Sequence, residues 1–206
     1  MITSNKDLMT QARNSLSGRW GLAVGTFFVY MLIMVVIGSL NYSAGFGGLR
    51  FVVSIAPLLL NGAFVLGVAT FSLAIARDED AKLEMIFYGF KYYVKTLGLY
   101  LLMVLFILLW MLLLIVPGII AAISYSLAFY IMHDDPTIGV MEAIGKSKKM
   151  MYGYKWKFFC LGLRFIGWFL LGILSSGIGF LWIVPYISIS FAKFYDDVKA
   201  NSIEVQ

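Results

Sequence analysis

Residues 140–163 read VMEAIGKSKKMMYGYKWKFFCLGL. Lys146, Lys148, Lys149, Lys155 and Lys157 crowd one side of this stretch, and Met141, Ile144, Met150, Met151, Tyr154 and Trp156 supply apolar and aromatic surface beside them. A helix of that make-up lies in a membrane interface, its long cationic side chains reaching headgroups while the apolar face sinks below them. Beyond Gly153 the pattern becomes that of a membrane span, so the chain is expected to turn there from one to the other. The stretch has partners. YGFKYYVKTLGL at 88–99 repeats YGYKWKFFCLGL at 152–163 with an offset of about 64 residues, and LSGRW at 16–20 is a fainter copy. One unit used about three times is the expected plan, with pseudo-repeats over roughly 4–76, 80–133 and 136–195 of a single domain, 1–206.

Composition sets the class. Of 206 residues, 61% are hydrophobic and 13% charged, whereas an ordinary soluble domain carries about 25% charged residues. A soluble globule is excluded. The net charge of +5 is small, and the Lys and Arg residues fall between apolar runs, so they read as topology and headgroup attraction rather than nucleic-acid binding. The single cysteine, Cys160, lies in an apolar stretch and offers neither an intramolecular disulfide nor a cysteine metal site.

Along the chain, Ser4 and Asp7 stand as a capping-box-like pair before Leu8, Met9, Ala12 and Leu16, apolar at helical spacing. Trp20 to Leu40 is an uncharged span whose Trp20 marks the interface, and the run is expected to stay as an anchor rather than be cleaved. A loop over Asn41–Gly48, followed by Arg50, leads to a second span, Phe51–Ala76, containing Pro57 and Asn61. A second surface helix, capped by Asp80, is expected over Leu83, Ile86, Phe87 and Phe90. The uncharged run Thr96–Met132 would reach about 55 Å as one helix, too long for a hydrocarbon core of about 30 Å. It must fold back, and Pro117–Gly118 is the expected break. Asp135 is the expected cap of the third surface helix, with Pro136 at its first position. Phe158–Leu174 and Gly179–Phe194 complete the spans, and a polar, frayed tail from Asp196 to Gln206 follows. Since the three hairpin loops hold no cation but Arg50, both termini are expected in the cytoplasm.

Candidate chemistry is sparse. Arg164 lies one to two turns inside the fifth span, where no acid is available to pair with it; it either snorkels to phosphate or holds an anionic ligand. Asn61 and Arg164 together make a possible intramembrane polar site. Asn61, Ser72, Ser124, Ser126, Ser188 and Ser190 are expected to bond between helices rather than line a path. His133, Asp134, Asp135, Asp78, Glu79, Asp80, Asp196 and Asp197 fit no metal-ligand spacing, so no metal is expected. Ser147 beside Lys146 on a surface helix is a poor nucleophile–base pair, and no hydrolase, protease or phosphate-loop motif occurs.

Several short pieces share an order and spacing: LWMLLLIVPGII at 109–120, YSLAFY at 125–130, EAIGKS at 142–147, MMYGYKW at 150–156, FIGW at 165–168, GIGFLW at 177–182 and PY at 185–186, with ARNSLSGRW at 12–20 and GF at 89–90. Together they resemble a bacterial integral membrane family called domain of unknown function 975, over nearly the whole chain. That family is similar to the membrane-embedded domain fused to some bacterial glycerophosphodiester phosphodiesterases. The resemblance implies a multi-pass protein of the bacterial plasma membrane and carries over no catalytic residue, because the hydrolytic chemistry there belongs to a separate soluble domain.

The expected fold is an all-α polytopic membrane bundle of about six spans in three hairpins, each preceded by a cytoplasmic amphipathic interfacial helix. The expected function is non-enzymatic and needs no cofactor: a scaffold or accessory protein of the envelope. Lys146, Lys148, Lys149, Lys155, Lys157 and Arg164 would bind anionic lipid, a protein partner in the membrane is a further expectation, and nucleic acid has no part. The alternative is a small transporter or channel with a path between the hairpins.

Overall fold

Long apolar runs leave the backbone one economical solution, which is to satisfy every N–H and C=O inside its own segment. The computed structural model describes residues 3–43 and 48–203, with side chains described for 3–39 and 55–202, and its regular structure is all helical, with no strand among the described residues. The elements are α1 (Asn5–Leu16), α2 (Trp20–Ser43), α3 (Gly48–Ala76), a 3₁₀ segment (Leu83–Tyr92), α4 (Tyr93–Leu113), α5 (Ile115–Tyr125), α6 (Ala128–Asp134), α7 (Val140–Met150), α8 (Lys155–Arg164), α9 (Ile166–Leu174) and α10 (Phe180–Ile203). The middle of the expected Asn41–Gly48 loop, 44–47, and the side chain of Arg50 lie outside the described residues; residues 41–43 and 48, expected in that loop, instead extend α2 and open α3.

Local signals place α1 as expected. Ser4 Oγ accepts the Asp7 N–H at 3.2 Å and donates to Asp7 Oδ2 at 2.6 Å, while Leu8, Ala12 and Leu16 bury one stripe. Gly18 at φ +78° and Gly153 at φ +82° then turn α1 into α2 and α7 into α8, a left-handed conformation that favours glycine. Gly89, the third position of the expected repeat, lies instead inside the 3₁₀ segment.

That segment replaces the second surface helix. Its preceding residue, Lys82, makes no side-chain cap, and Asp80 pairs with Lys82 at 3.2 Å rather than capping anything. Tertiary packing overrides the cap. Gly67 of α3 faces the Ile86 carbonyl and Gly89 faces the Ala63 carbonyl, approaches with no room for a Cβ, so the segment lies directly on α3. Phe64 follows with Phe87 and Phe90 at ring separations of 6.1 and 5.2 Å. Central helix α3 also packs against α2, α4, α6 and α10. Gly62 brings it close to the Thr96 carbonyl, and Asn61 Nδ2 donates to Tyr100 Oη at 3.1 Å. The expected interhelical bond of Asn61 is thus present.

The long uncharged run folds back, but three residues before the proline. Leu114, at φ −162° and ψ 143°, is the break, and Pro117 sits in the first turn of α5. There a missing N–H costs nothing, because first-turn donors have no intrahelical partner. Gly118 packs on Met111 and Phe106 meets Tyr125 at 6.3 Å, which closes the hairpin. A second break, at Ser126–Leu127, separates α5 from α6. Ser147 of α7 serves it: its Oγ accepts the Leu127 N–H at 3.2 Å and donates to the Ser124 carbonyl at 2.8 Å. Ser147→Ala is expected to cost about 1–2 kcal/mol, read as a lowered apparent Tm in detergent, since it strands that buried donor.

Asp135 does not cap α7. It accepts the Thr137 N–H at 3.0 Å and hydroxyl at 2.6 Å, forming a turn, and Gly139 is the residue before the helix. The hydroxyls of Ser124, Ser126 and Ser190 bond back to carbonyls of Ile120, Ile123 and Tyr186 in their own chain segment rather than across to a neighbour. Ser72 Oγ is buried with no partner among the described residues. The tail is not frayed from Asp196, since α10 continues to Ile203.

Among the described residues, five stretches are long and apolar enough to cross a membrane: Trp20–Ser39, Ile55–Ala76, Leu83–Leu113, Ile115–Asp134 and Lys155–Leu174. The uncharged part of α10, Phe180–Ala192, is about 20 Å long at 1.5 Å per residue. Leu112 at 87% exposure and Leu174 at 80% lie on broad apolar surfaces that water would not tolerate.

Candidate functional site

Charged residues terminate the apolar helices, and the fold gathers those termini at one end. Arg77 follows α3, Asp134 ends α6, and Asp196 lies on α10. Arg77 Nη1 and Nη2 donate to the two oxygens of Asp134 at 2.8 and 3.1 Å, and Nη2 and Nε reach Asp196 Oδ1 at 2.8 and 3.2 Å. Tyr195 Oη donates to Asp134 Oδ2 at 2.8 Å, and Lys199 closes on the same oxygen. Burial works against the charge on Arg77, yet the hydrogen bonds to Asp134 and Asp196 outweigh it and hold its pKa above the ordinary value. Nearby, Asp197 accepts from Lys157 Nζ at 2.6 Å and from the Thr3 hydroxyl at 2.5 Å, while Asn5 Nδ2 donates to the Lys157 carbonyl at 2.9 Å. Arg19 reaches the Glu79 carbonyl at 3.3 Å, and Lys95 holds the carbonyls of Pro136 and Thr137 at 2.8 and 3.0 Å.

These pairs engage Asp196, Asp197 and Lys199 of α10, while most cations of α7 and α8 are in no ion pair among the described residues. A cleft of about 680 Å³ opens between α6, α7 and the C-terminal part of α10. Lys146 and Lys149 line it with Lys199, Tyr152, Tyr154 and Tyr195, and Asp134 and Asp135 lie in its wall. Asp134 is spent on Arg77 and Lys199. Asp135 is held ionised below the usual carboxylate range by the hydroxyl and N–H of Thr137. Lys146 and Lys149 have no ion-pair partner among the described residues. Such a cleft suits a phosphate or carboxylate that is approached from the polar end.

The fold separates the six cations expected to bind headgroups. Lys146 and Lys149 meet in the cleft; Lys148 is exposed without lining it, and Lys155 is half-buried. Lys157 turns inward, its side chain 16% exposed against an Asp197 that is 8% exposed. Arg164 is exposed at the end of α8, where the helix breaks at Phe165. It makes no bond to Asn61, whose amide donates to Tyr100. Ser147 faces the core while Lys146 faces the cleft, so the two do not form a nucleophile–base pair. His133 Nδ1 lies 3.0 Å from Thr70 Oγ1.

Sequence reasoning missed the Arg77 assembly and the contribution of Lys199. Arg77, Asp134 and Asp196 each stand at the end of an apolar run, which places them at one level; their mutual pairing needs the order of helices around α3.

An all-helical bundle with five stretches, among the described residues, fit to cross a membrane, and with one charge-paired end, defines a multi-pass membrane class. The chain belongs to the family described as Protein of unknown function (DUF975), whose model matches residues 1–128 and 111–202. No curated protein and no solved structure matches it, so the expected likeness to the membrane domain of glycerophosphodiester phosphodiesterases rests on the resemblance alone.

Proposed function

We propose that this chain is a non-enzymatic multi-pass protein of the bacterial plasma membrane that holds anionic lipid headgroups in the basic cleft and acts as a scaffold or accessory protein of the envelope. In this reading α10 supplies a sixth, short crossing, each hairpin follows an interfacial element, and both termini face the cytoplasm. One observation carries it: Lys146 and Lys149, neither in an ion pair among the described residues, converge on a cleft at the charged end of the bundle. Two lysines beside an anionic surface contribute about 2 kcal/mol, roughly a thirtyfold preference over a neutral lipid. The engagement of Asn61 by Tyr100 favours a scaffold over a transport path beside Asn61 and Arg164. The cavity of about 280 Å³ between α2 and α10, lined by apolar parts of residues such as Phe27, Met31 and Phe180, points the same way.

Native mass spectrometry of the detergent-purified protein tests the reading. Wild type should retain phosphatidylglycerol or cardiolipin in preference to phosphatidylcholine, the Lys146→Gln/Lys149→Gln variant should lose that preference by about tenfold or more, and Lys148→Gln should keep most of it. Equal retention in wild type and the double variant would leave these lysines as topology alone.

A further inference from the structure

Three of the five tryptophans, Trp20, Trp168 and Trp182, line one cavity of about 240 Å³ together with Arg13, Ile183 and Tyr186. It shares no residue with the basic cleft. Tyr186 fixes the depth of this cavity: its hydroxyl donates to the Met9 carbonyl at 3.2 Å, which places the middle of α1 against α10. Its ring is braced edge-on by Phe165 at 5.4 Å and Trp168 at 6.2 Å. Arg13, one turn beyond Met9, is exposed, and no carboxylate pairs with it among the described residues. A cation thus stands beside three indoles drawn from the start of α2, the body of α9 and the first turn of α10, amphipathic rings that suit the contact between a lipid's polar and apolar parts.

We propose that this cavity is a second lipid site, which grips the glycerophosphate region of a single phospholipid with an anionic headgroup, the phosphate facing Arg13. Three indoles alone would suit a quaternary ammonium, but Arg13 beside them repels one. The cavity lies below the range of about 300–1,000 Å³ that encloses a whole ligand, so the occupant continues beyond it. The exposed apolar face of α9, with Phe169, Leu170 and Leu171, offers that path for an acyl chain. The inference rests on the membrane reading above but not on the Lys146–Lys149 cleft.

The indoles report on their own occupant. A Trp110→Phe/Trp156→Phe variant keeps only the three cavity tryptophans. It is reconstituted into phosphatidylcholine vesicles containing a small, equal fraction of chain-brominated phosphatidylglycerol or chain-brominated phosphatidylcholine. Brominated phosphatidylglycerol should quench the fluorescence at about fivefold lower fraction than its neutral counterpart. Arg13→Gln should erase the difference and Arg13→Lys keep most of it. Lys146→Gln/Lys149→Gln should leave it in place, which separates this site from the cleft. The same comparison in wild type, with two outside indoles as background, covers a reporter variant that does not fold. Equal quenching by the two lipids, or an anionic preference that survives Arg13→Gln, would overturn the assignment.

Discussion

Gly67→Ala, a change of one methyl group, is expected to lower the apparent Tm in detergent by roughly 10 °C or to abolish the monodisperse peak. A Cβ at Gly67 would overlap the carbonyl of Ile86, and one at Gly89 would overlap that of Ala63. Both obstacles are backbone. A crowded side chain rotates away, but a helix backbone moves only with everything packed on it, so the cost exceeds the 1–3 kcal/mol typical of an overpacked core. The 3₁₀ segment would be levered off α3, and with it Phe87 and Phe90 off Phe64. Gly25→Ala in α2 is the control: nothing lies within 4 Å of its added Cβ, and alanine improves helix propensity by about 0.5–1 kcal/mol. A thermal shift assay of both variants checks the pair. Equal stability of Gly67→Ala and Gly25→Ala would mean that the α3 contact is looser than described.

Arg77→Met should be the most damaging change at the charged end, about 3 kcal/mol or more. It removes one cation that four hydrogen bonds of 3.2 Å or less tie to Asp134 and Asp196, leaving Asp196 without its cation and Asp134 with only Lys199 and Tyr195. Arg77→Lys should rescue only part of the loss, because a point charge does not reproduce a planar fork that spans two carboxylates. The diagnostic is coupling. Arg77→Met combined with Asp196→Asn should be less harmful than the sum of the two alone, by about 1 kcal/mol or more, since the second change relieves a charge left unpaired by the first. Additive effects in thermal shift would indicate that the network is solvated and weak.

Much of this architecture was legible in local signals. Ser4 and Asp7 cap α1, Gly153 turns α7 into α8, Trp20 opens α2, and Asn61 finds a partner across a helix boundary; each needs only neighbours in sequence or a polar group in an apolar run. Misreadings occurred where tertiary packing competed with local chemistry. Asp80 and Asp135 are good caps that lost to the docking of the 3₁₀ segment and to an aspartate turn. Pro117 in an apolar run signals a break, but a proline is equally at home in the first turn after one, which is where α5 places it. At the site, the basic character of 146–157 was visible. What the sequence alone could not separate was Lys157, drawn inward by Asp197, from Lys146 and Lys149, because Asp197 lies forty residues away on another helix.

The anionic-lipid cleft is tested most directly by a crystal structure of the protein grown in a lipidic mesophase doped with phosphatidylglycerol. The account predicts a lipid phosphate within hydrogen-bond reach of Lys146 and Lys149, with its acyl chains leading out toward the apolar faces of the bundle. A cleft that holds only solvent while lipid phosphates are ordered elsewhere on the protein would contradict it.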